Sequence, residues 1–277
     1  MKQIQADYRK PDTRRRIDIC GDGAVEEILE VLEENGFCVV GSDASADHPK
    51  AAIKGISSAL GLGEPVIPDL YMVESARKYS SQYHEIQRSA TDRHPGFSTT
   101  DGQAWHVDGL LDNLGRIRTS VLYCVRPADA GGETLIFNAV AAFHALLSVD
   151  STAADALVAP TALERRATIL GVEASTTGPV FSVEADGSFI TRFTDNDTCA
   201  WGHAADPTGA LECGLRFLRA AAEDPRYRTG VALGRGEALV FRNDRVSHGR
   251  TAYQDSADEP RHLVRALYEL APRRTAA

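Results

Sequence analysis

The sequence predicts a mainly β protein with flanking helices (α+β), a sandwich or barrel of antiparallel strands, and three observations carry that reading. From about Ser98 onward, short apolar segments rich in β-branched and aromatic residues succeed one another. Turn residues separate them, among them Gly131-Gly132 and Asp186-Gly187. Helical periodicity is confined to the N-terminal part and to two later interruptions.

In chain order, Ala24 to Glu34 place Val25, Ile28, Leu29 and Leu32 at helical spacing, and Asn35-Gly36 supplies the stop before a strand-like Phe37 to Val40. A small N-terminal α/β portion is therefore expected. A second helix is predicted over Pro49 to Leu60, then loop from Gly61 to Asp69, where Gly and Pro punctuate the chain. Strands are predicted over Ala104 to Val107, Thr119 to Val125, Thr134 to Asn138, Phe189 to Phe193, Ala238 to Phe241 and Leu263 to Leu270. Two Ala/Leu-rich helices, Ala139 to Leu147 and Ala210 to Ala222, interrupt them, and Leu211, Leu215 and Leu218 form one apolar stripe suited to core packing.

The 277 residues, 43% of them apolar, suffice to bury a sizeable core, so a single domain over 1–277 is expected. A formal charge of -9 argues against a polyanion as main partner, because nucleic-acid affinity rests on phosphate neutralisation by Lys and Arg. The five cysteines are scattered and odd in number, which fits a reducing cytoplasm. Met1 to Asp18 is basic around Arg14, Arg15 and Arg16 without the apolar stretch of a secretory signal, and no segment has the apolar length of a membrane span. A soluble cytoplasmic protein with a small-molecule substrate, no nucleic-acid partner and no membrane partner is the expectation. A homodimer is compatible with the helix-rich ends, although no feature forces it.

The sharpest local feature is Trp105-His106-Val107-Asp108-Gly109, a strand running into a turn. Alternate strand residues share a face, so His106 and Asp108 can point at one ion. By itself the triplet is weak. A second histidine, His248, stands in a comparable setting after the strand Gly236 to Phe241. Two imidazoles and a carboxylate on one face of an octahedral ion leave three positions open, the arrangement of non-haem iron oxygenases, whereas zinc prefers a tetrahedral site.

These residues resemble the taurine dioxygenase (TauD/TfdA) and clavaminate synthase-like family of 2-oxoglutarate oxygenases. His106-Val107-Asp108-Gly109 resembles the family's first ligand pair, and Gly131-Gly132-Glu133-Thr134 its G-G-E-T strand. Gly236 to Phe241, Asn243 and His248-Gly249-Arg250 resemble its Gly-Asp strand, its Asn-Arg pair and its distal ligand, with Glu237 replacing the usual Asp and Asp244 intervening before Arg245. The likeness runs from about residue 36 to residue 270. It implies a double-stranded β-helix of the jelly-roll, cupin-like kind, with Fe(II), the co-substrate 2-oxoglutarate and O2. It also implies metal ligands His106, Asp108 and His248, with Arg261 and Thr134 at the far carboxylate of 2-oxoglutarate and Arg265 at the substrate's acid group. Because Asp108 is present, hydroxylation of an unactivated carbon is the default, with desaturation or cyclisation as alternatives.

Asp195 and Asp197 resemble the paired aspartates by which arginine hydroxylases of this group hold a guanidinium. The substrate implied is a free amino acid, a basic one in particular, or an amino-acid-derived intermediate of specialised metabolism. Each of these residues also has a structural reading. Arg261 could pair with Glu259 or Asp258, Arg265 with Glu269, Thr134 could be an ordinary strand residue, and Asp195 with Asp197 a solvated turn. Two rival functions are a jelly-roll module that binds a small molecule without catalysis and a zinc hydrolase, for which no general base and oxyanion stabiliser can be identified.

Overall fold

Two β-sheets face each other, and strand after strand alternates between two apolar environments. The computed structural model of the chain describes residues 13, 15–42, 47–92, 94, 96–256 and 258–274, so most of the basic N-terminal segment, including Arg14, lies outside the described residues. Ten strands position the site: β1 (Ile17–Asp18), β2 (Phe37–Gly41), β3 (His84–Gln87), β4 (Gln103–His106), β5 (Thr119–Arg126), β6 (Thr134–Phe137), β7 (Arg228–Val231), β8 (Glu237–Arg242), β9 (Ser247–Arg250) and β10 (His262–Tyr268). The major sheet has the order β1-β2-β8-β5-β10-β3 and the minor sheet the order β7-β6-β9-β4. The pair β1-β2 is parallel, and the other pairs of both sheets are antiparallel. This is the mainly β, jelly-roll double-stranded β-helix that the sequence implied.

The period of two decides which side chains meet. In β5, Val121, Tyr123 and Val125 join the cluster under the helices, while Leu122 and Cys124 face the minor sheet. The same split separates Cys38 and Val40 from Phe37 and Val39, and Ala238 and Val240 from Leu239 and Phe241. With both faces buried, these strands read as continuous apolar runs, which is why they were legible. Helices α1 (Ala24–Asn35) and α2 (Pro49–Ala59) cover the outer face through Ile28, Leu32, Ile53 and Ile56. Gly36 stops α1 by taking a left-handed φ of 80°, and its N–H donates to the Leu32 carbonyl. Because β2 pairs with β8, the expected N-terminal α/β portion is an integral part of the major sheet.

The outer face of the minor sheet is covered by the segment between β6 and β7. It holds α3 (Ala139–Val149), α4 (Ser151–Leu157) and α5 (Ala210–Glu223), together with short strands such as Leu163–Arg166, Ser175–Gly178 and Cys199–Trp201. Asn138 caps α3 by accepting from the Ala141 N–H, and Asp150 caps α4 by accepting from Ala153. The predicted stripe Leu211, Leu215 and Leu218 is buried against Leu157 and Phe143. The strand expected over Phe189 to Phe193 ends at Thr191, a difference that bears on the site. All five cysteines are free, and no helix of the described residues is long and apolar enough to cross a membrane.

Candidate metal centre and active site

His106 ends β4, and His248 lies opposite it in register on β9, with ring centroids 4.1 Å apart. Asp108 follows at the turn. Gly109 has φ +82°, and a Cβ there would stand 2.9 Å from Ile117, so the fourth position of His-x-Asp-Gly requires glycine. Gly249 is needed for a different reason, since a Cβ would meet the Gln103 carbonyl at 2.6 Å and push β9 away from β4. Asn243, one of the sequence landmarks, fastens the loop: it accepts from the Asp108 N–H at 2.8 Å and donates to the Ile117 carbonyl at 2.8 Å. Ser120 donates to Asp108 Oδ2 at 2.6 Å, and Arg265 donates to Asp108 Oδ1.

The ligating atoms of His106, Asp108 and His248 all lie within 4.8 Å of one another. His106 Nδ1 is 2.9 Å from the Ala104 carbonyl, which assigns the ring proton to Nδ1 and leaves Nε2 for a metal. Burial lowers the pKa of His106, and burial followed by the proximity of His106 lowers His248 to about 3. For Asp108 burial acts upward, but Arg265, His248 and His106 outweigh it and hold the carboxyl at about 2. At neutral pH the cluster is two neutral imidazoles and one carboxylate, a set that accepts a divalent cation without releasing protons. Its composition and open side fit ferrous iron with exchangeable positions.

Two cavities meet at His106. The narrow one, about 60 Å³, is lined by His106, His248, Thr134, Arg250 and Arg261. The wide one, about 540 Å³, is lined by His106, Asp108, Arg165, Asn196 and Asp197, and Arg265 and Gln103 border both. Arg261 is 3% exposed, its guanidinium lies over the Tyr253 ring at 5.0 Å, and its Nη2 donates to the Gly132 carbonyl at 3.2 Å. Its buried Nη1 has no hydrogen-bond partner among the described residues, Glu259 and Asp258 included. Thr134 is buried and sits opposite Arg250 in register. Arg250 donates to the Thr99 and Asp101 carbonyls at 3.0 and 2.6 Å, so it braces the loop before β4 while bordering the narrow cavity. Arg265 pairs with Asp108, whereas Glu269 is taken by Arg116 at 3.0 Å.

The two aspartates are not brought together. Asp197 lines the wide cavity, but both carboxylate oxygens of Asp195 accept from Arg219 on α5, at 2.9 and 3.0 Å. Alternation would have put them on one face only in a strand, and here the chain leaves the strand at Thr191 and turns at Asn196, whose side chain accepts from the Thr198 N–H. Sequence reasoning missed Arg165 and His94 on the cavity wall. Arg165 shares the buried parity of Leu163 in Leu-Glu-Arg-Arg, a signal that its charge concealed. His94 stacks on Phe97 at 3.8 Å and shares a hydrogen bond of 3.1 Å with the Tyr71 hydroxyl.

His84 and His94 are held neutral chiefly by burial and then by Arg265, at about 3 and about 4. The unfolded chain takes up a proton on each near pH 6.5, and the folded chain refuses it until about pH 4 at His94 and about pH 3 at His84. Stability therefore falls as pH drops below about 6.5, by up to about 1.4 kcal/mol per pH unit and per group. The urea midpoint is expected to decline from pH 6.5 to pH 4, less steeply in His94→Gln; an equal slope in the variant would exclude this origin.

Comparison with known proteins adds an independent finding. Residues 12–267 match the family described as taurine catabolism dioxygenase TauD, TfdA family. Over 273 residues the chain is 53% identical to a uridine-5'-phosphate dioxygenase of Amycolatopsis sp, with 99% of both chains covered. It is 40% identical over 253 residues to a uridine-5'-phosphate dioxygenase of Streptomyces sp, covering 90% of this chain and 91% of that one. Among solved structures, an asparagine oxygenase superposes with a TM-score of 0.68 at 17% identity, covering 90% of this chain and 80% of that one. The non-heme iron oxygenase OrfP in complex with Fe and alpha-ketoglutaric acid gives 0.63 at 16% identity, with 90% and 80% covered. At such identities these two structures share the fold.

Proposed function

The chain belongs to the TauD, TfdA family and is an iron(II)- and 2-oxoglutarate-dependent dioxygenase, and from that premise we propose that its substrate is uridine-5'-phosphate. In this reading His106, Asp108 and His248 hold the metal, the narrow cavity takes 2-oxoglutarate and the wide cavity takes the nucleotide. The observation that carries the substrate is the 53% identity, over 99% of both chains, to a protein named for that nucleotide. The wide cavity of about 540 Å³ supports it, since ligands of nucleotide size occupy pockets of about 300–1,000 Å³. The expected basic amino acid loses its basis, because Asp195 is engaged by Arg219 and leaves Asp197 alone to face a cation.

Iron with 2-oxoglutarate and O2 supplies the oxidising power. The chain's residues position and shield. Arg261, lying over the Tyr253 ring, can grip the far carboxylate of the co-substrate with two parallel hydrogen bonds, and the Thr134 hydroxyl can add a third. Ser120 and Arg265 fix the Asp108 carboxylate, and the Ala104 carbonyl fixes the His106 ring. Leu122, Phe241 and Leu263 line the narrow cavity with apolar surface that limits water around the co-substrate.

The test starts with protein prepared anaerobically with Fe(II) and 2-oxoglutarate, whose chelate gives a weak visible charge-transfer band. On admission of O2, uridine-5'-phosphate is expected to drive succinate formation above the uncoupled background. Succinate formation driven by an amino acid from a panel that includes arginine, with none driven by the nucleotide, would reverse the assignment of substrate.

A further inference from the structure

Resting on the nucleotide reading, we propose that Arg165 recognises the substrate's phosphate, so that the wall contributed by the segment between β6 and β7 selects a phosphomonoester over the free nucleoside. The strand Leu163–Arg166 is held on both sides, with Arg165 opposite Cys199 in one neighbour and Thr176 in the other. That register turns Arg165 the same way as Leu163, inward, where it is 2% exposed and borders the wide cavity.

The charge it brings there is not balanced. Among the described residues Arg165 forms no ion pair; its Nη2 donates to the Gly109 carbonyl at 2.8 Å, and its buried Nε has no partner. The neighbouring charge that acts on it most is Arg192, itself 3% exposed with Nε and Nη1 unpartnered, and it outweighs the opposing influence of Asp112, which forms no ion pair with Arg165. Burial and then Arg192 draw the Arg165 guanidinium down to about 9, which still leaves it cationic at neutral pH. A buried cation without a counter-charge is retained only where something compensates it, and an anion entering the cavity is the group that can. Arg265, the other guanidinium on this wall, is already matched by Asp108, and Arg261 lies in the narrow cavity. A planar fork facing a phosphate can donate two charge-assisted hydrogen bonds at once.

Equilibrium dialysis of labelled uridine-5'-phosphate and uridine against the anaerobic protein loaded with Fe(II) and 2-oxoglutarate tests this. Wild type is expected to bind the nucleotide about 100-fold more tightly than uridine. In Arg165→Gln the preference is expected to fall to within about threefold, with uridine affinity and half-saturation by 2-oxoglutarate unchanged. Arg165→Lys, which keeps the charge and loses the fork, is expected to fall between them, and it decides the matter if Arg165→Gln does not fold. Full wild-type preference in a folded Arg165 variant overturns the proposal while leaving the nucleotide reading intact, as does equal binding of both ligands by wild type. Wild type that holds 2-oxoglutarate but binds neither ligand overturns the nucleotide reading.

Discussion

Asp108→Ala is expected to lower 2-oxoglutarate turnover by about 1,000-fold or more, on the order of 4 kcal/mol of lost transition-state stabilisation. The carboxylate is the one anionic group among the three proposed ligands, and Arg265, His248 and His106 hold it well below the usual carboxylate range, so it is charged at neutral pH. Alanine leaves two neutral imidazoles whose donor capacity is unchanged and whose electrostatic attraction for a divalent cation is much reduced. A second effect accompanies the first. Arg265, only 11% exposed at its side chain, loses its counter-ion, and a stranded buried charge of this kind costs roughly 3–5 kcal/mol of folding stability. Dialysis against Fe(II) and the urea midpoint read the two effects separately. Asp108→Asn, which keeps the volume and removes the charge, should lose metal nearly as completely. Turnover within tenfold of wild type in folded Asp108→Ala would remove Asp108 from the ligand set.

The fold and the centre of the site were legible because their signals are local or ordered along the chain. His106 and Asp108 stand two residues apart in a strand, so periodicity alone pairs them, and Gly109 marks the turn that Ile117 leaves no room to make otherwise. Strands such as Thr119–Arg126, buried on both faces, announce themselves as unbroken apolar runs. The wall between β6 and β7 was much less legible. Its strands are three or four residues long, and Leu163–Arg166 carries three charged side chains, so its inward arginine reads as surface. Nothing in the local sequence says that Arg219, two dozen residues on, turns Asp195 away from the cavity. Contacts of that kind are set by how α5 packs on the segment, and a chain pattern does not encode a tertiary ion pair. The expectation of a basic amino acid rested on the same pattern, and paired aspartates imply a guanidinium only when both face the cavity, which Asp195 does not.

Arg261→Met is expected to raise the 2-oxoglutarate concentration for half-saturation by about 100-fold, or roughly 2.7 kcal/mol, while changing the rate at saturation by less than about threefold. Arg261 touches the proposed co-substrate end of the narrow cavity and has no contact with the metal cluster, so its loss should weaken binding equally in ground and transition states. The sign of the stability change separates this variant from Asp108→Ala. Arg261 is 3% exposed with no carboxylate in ion-pair range among the described residues, so methionine removes an uncompensated buried charge and keeps most of the packing over Tyr253. The urea midpoint without co-substrate should therefore hold or rise, whereas the Asp108 variant falls. Adding 2-oxoglutarate should then stabilise wild type through linkage and leave Arg261→Met nearly unmoved at the same concentration. A variant that loses stability without co-substrate and gains as much as wild type with it would show that Arg261 serves the fold, and the far carboxylate would need another partner, for which Arg250, bordering the same cavity, is the nearest alternative.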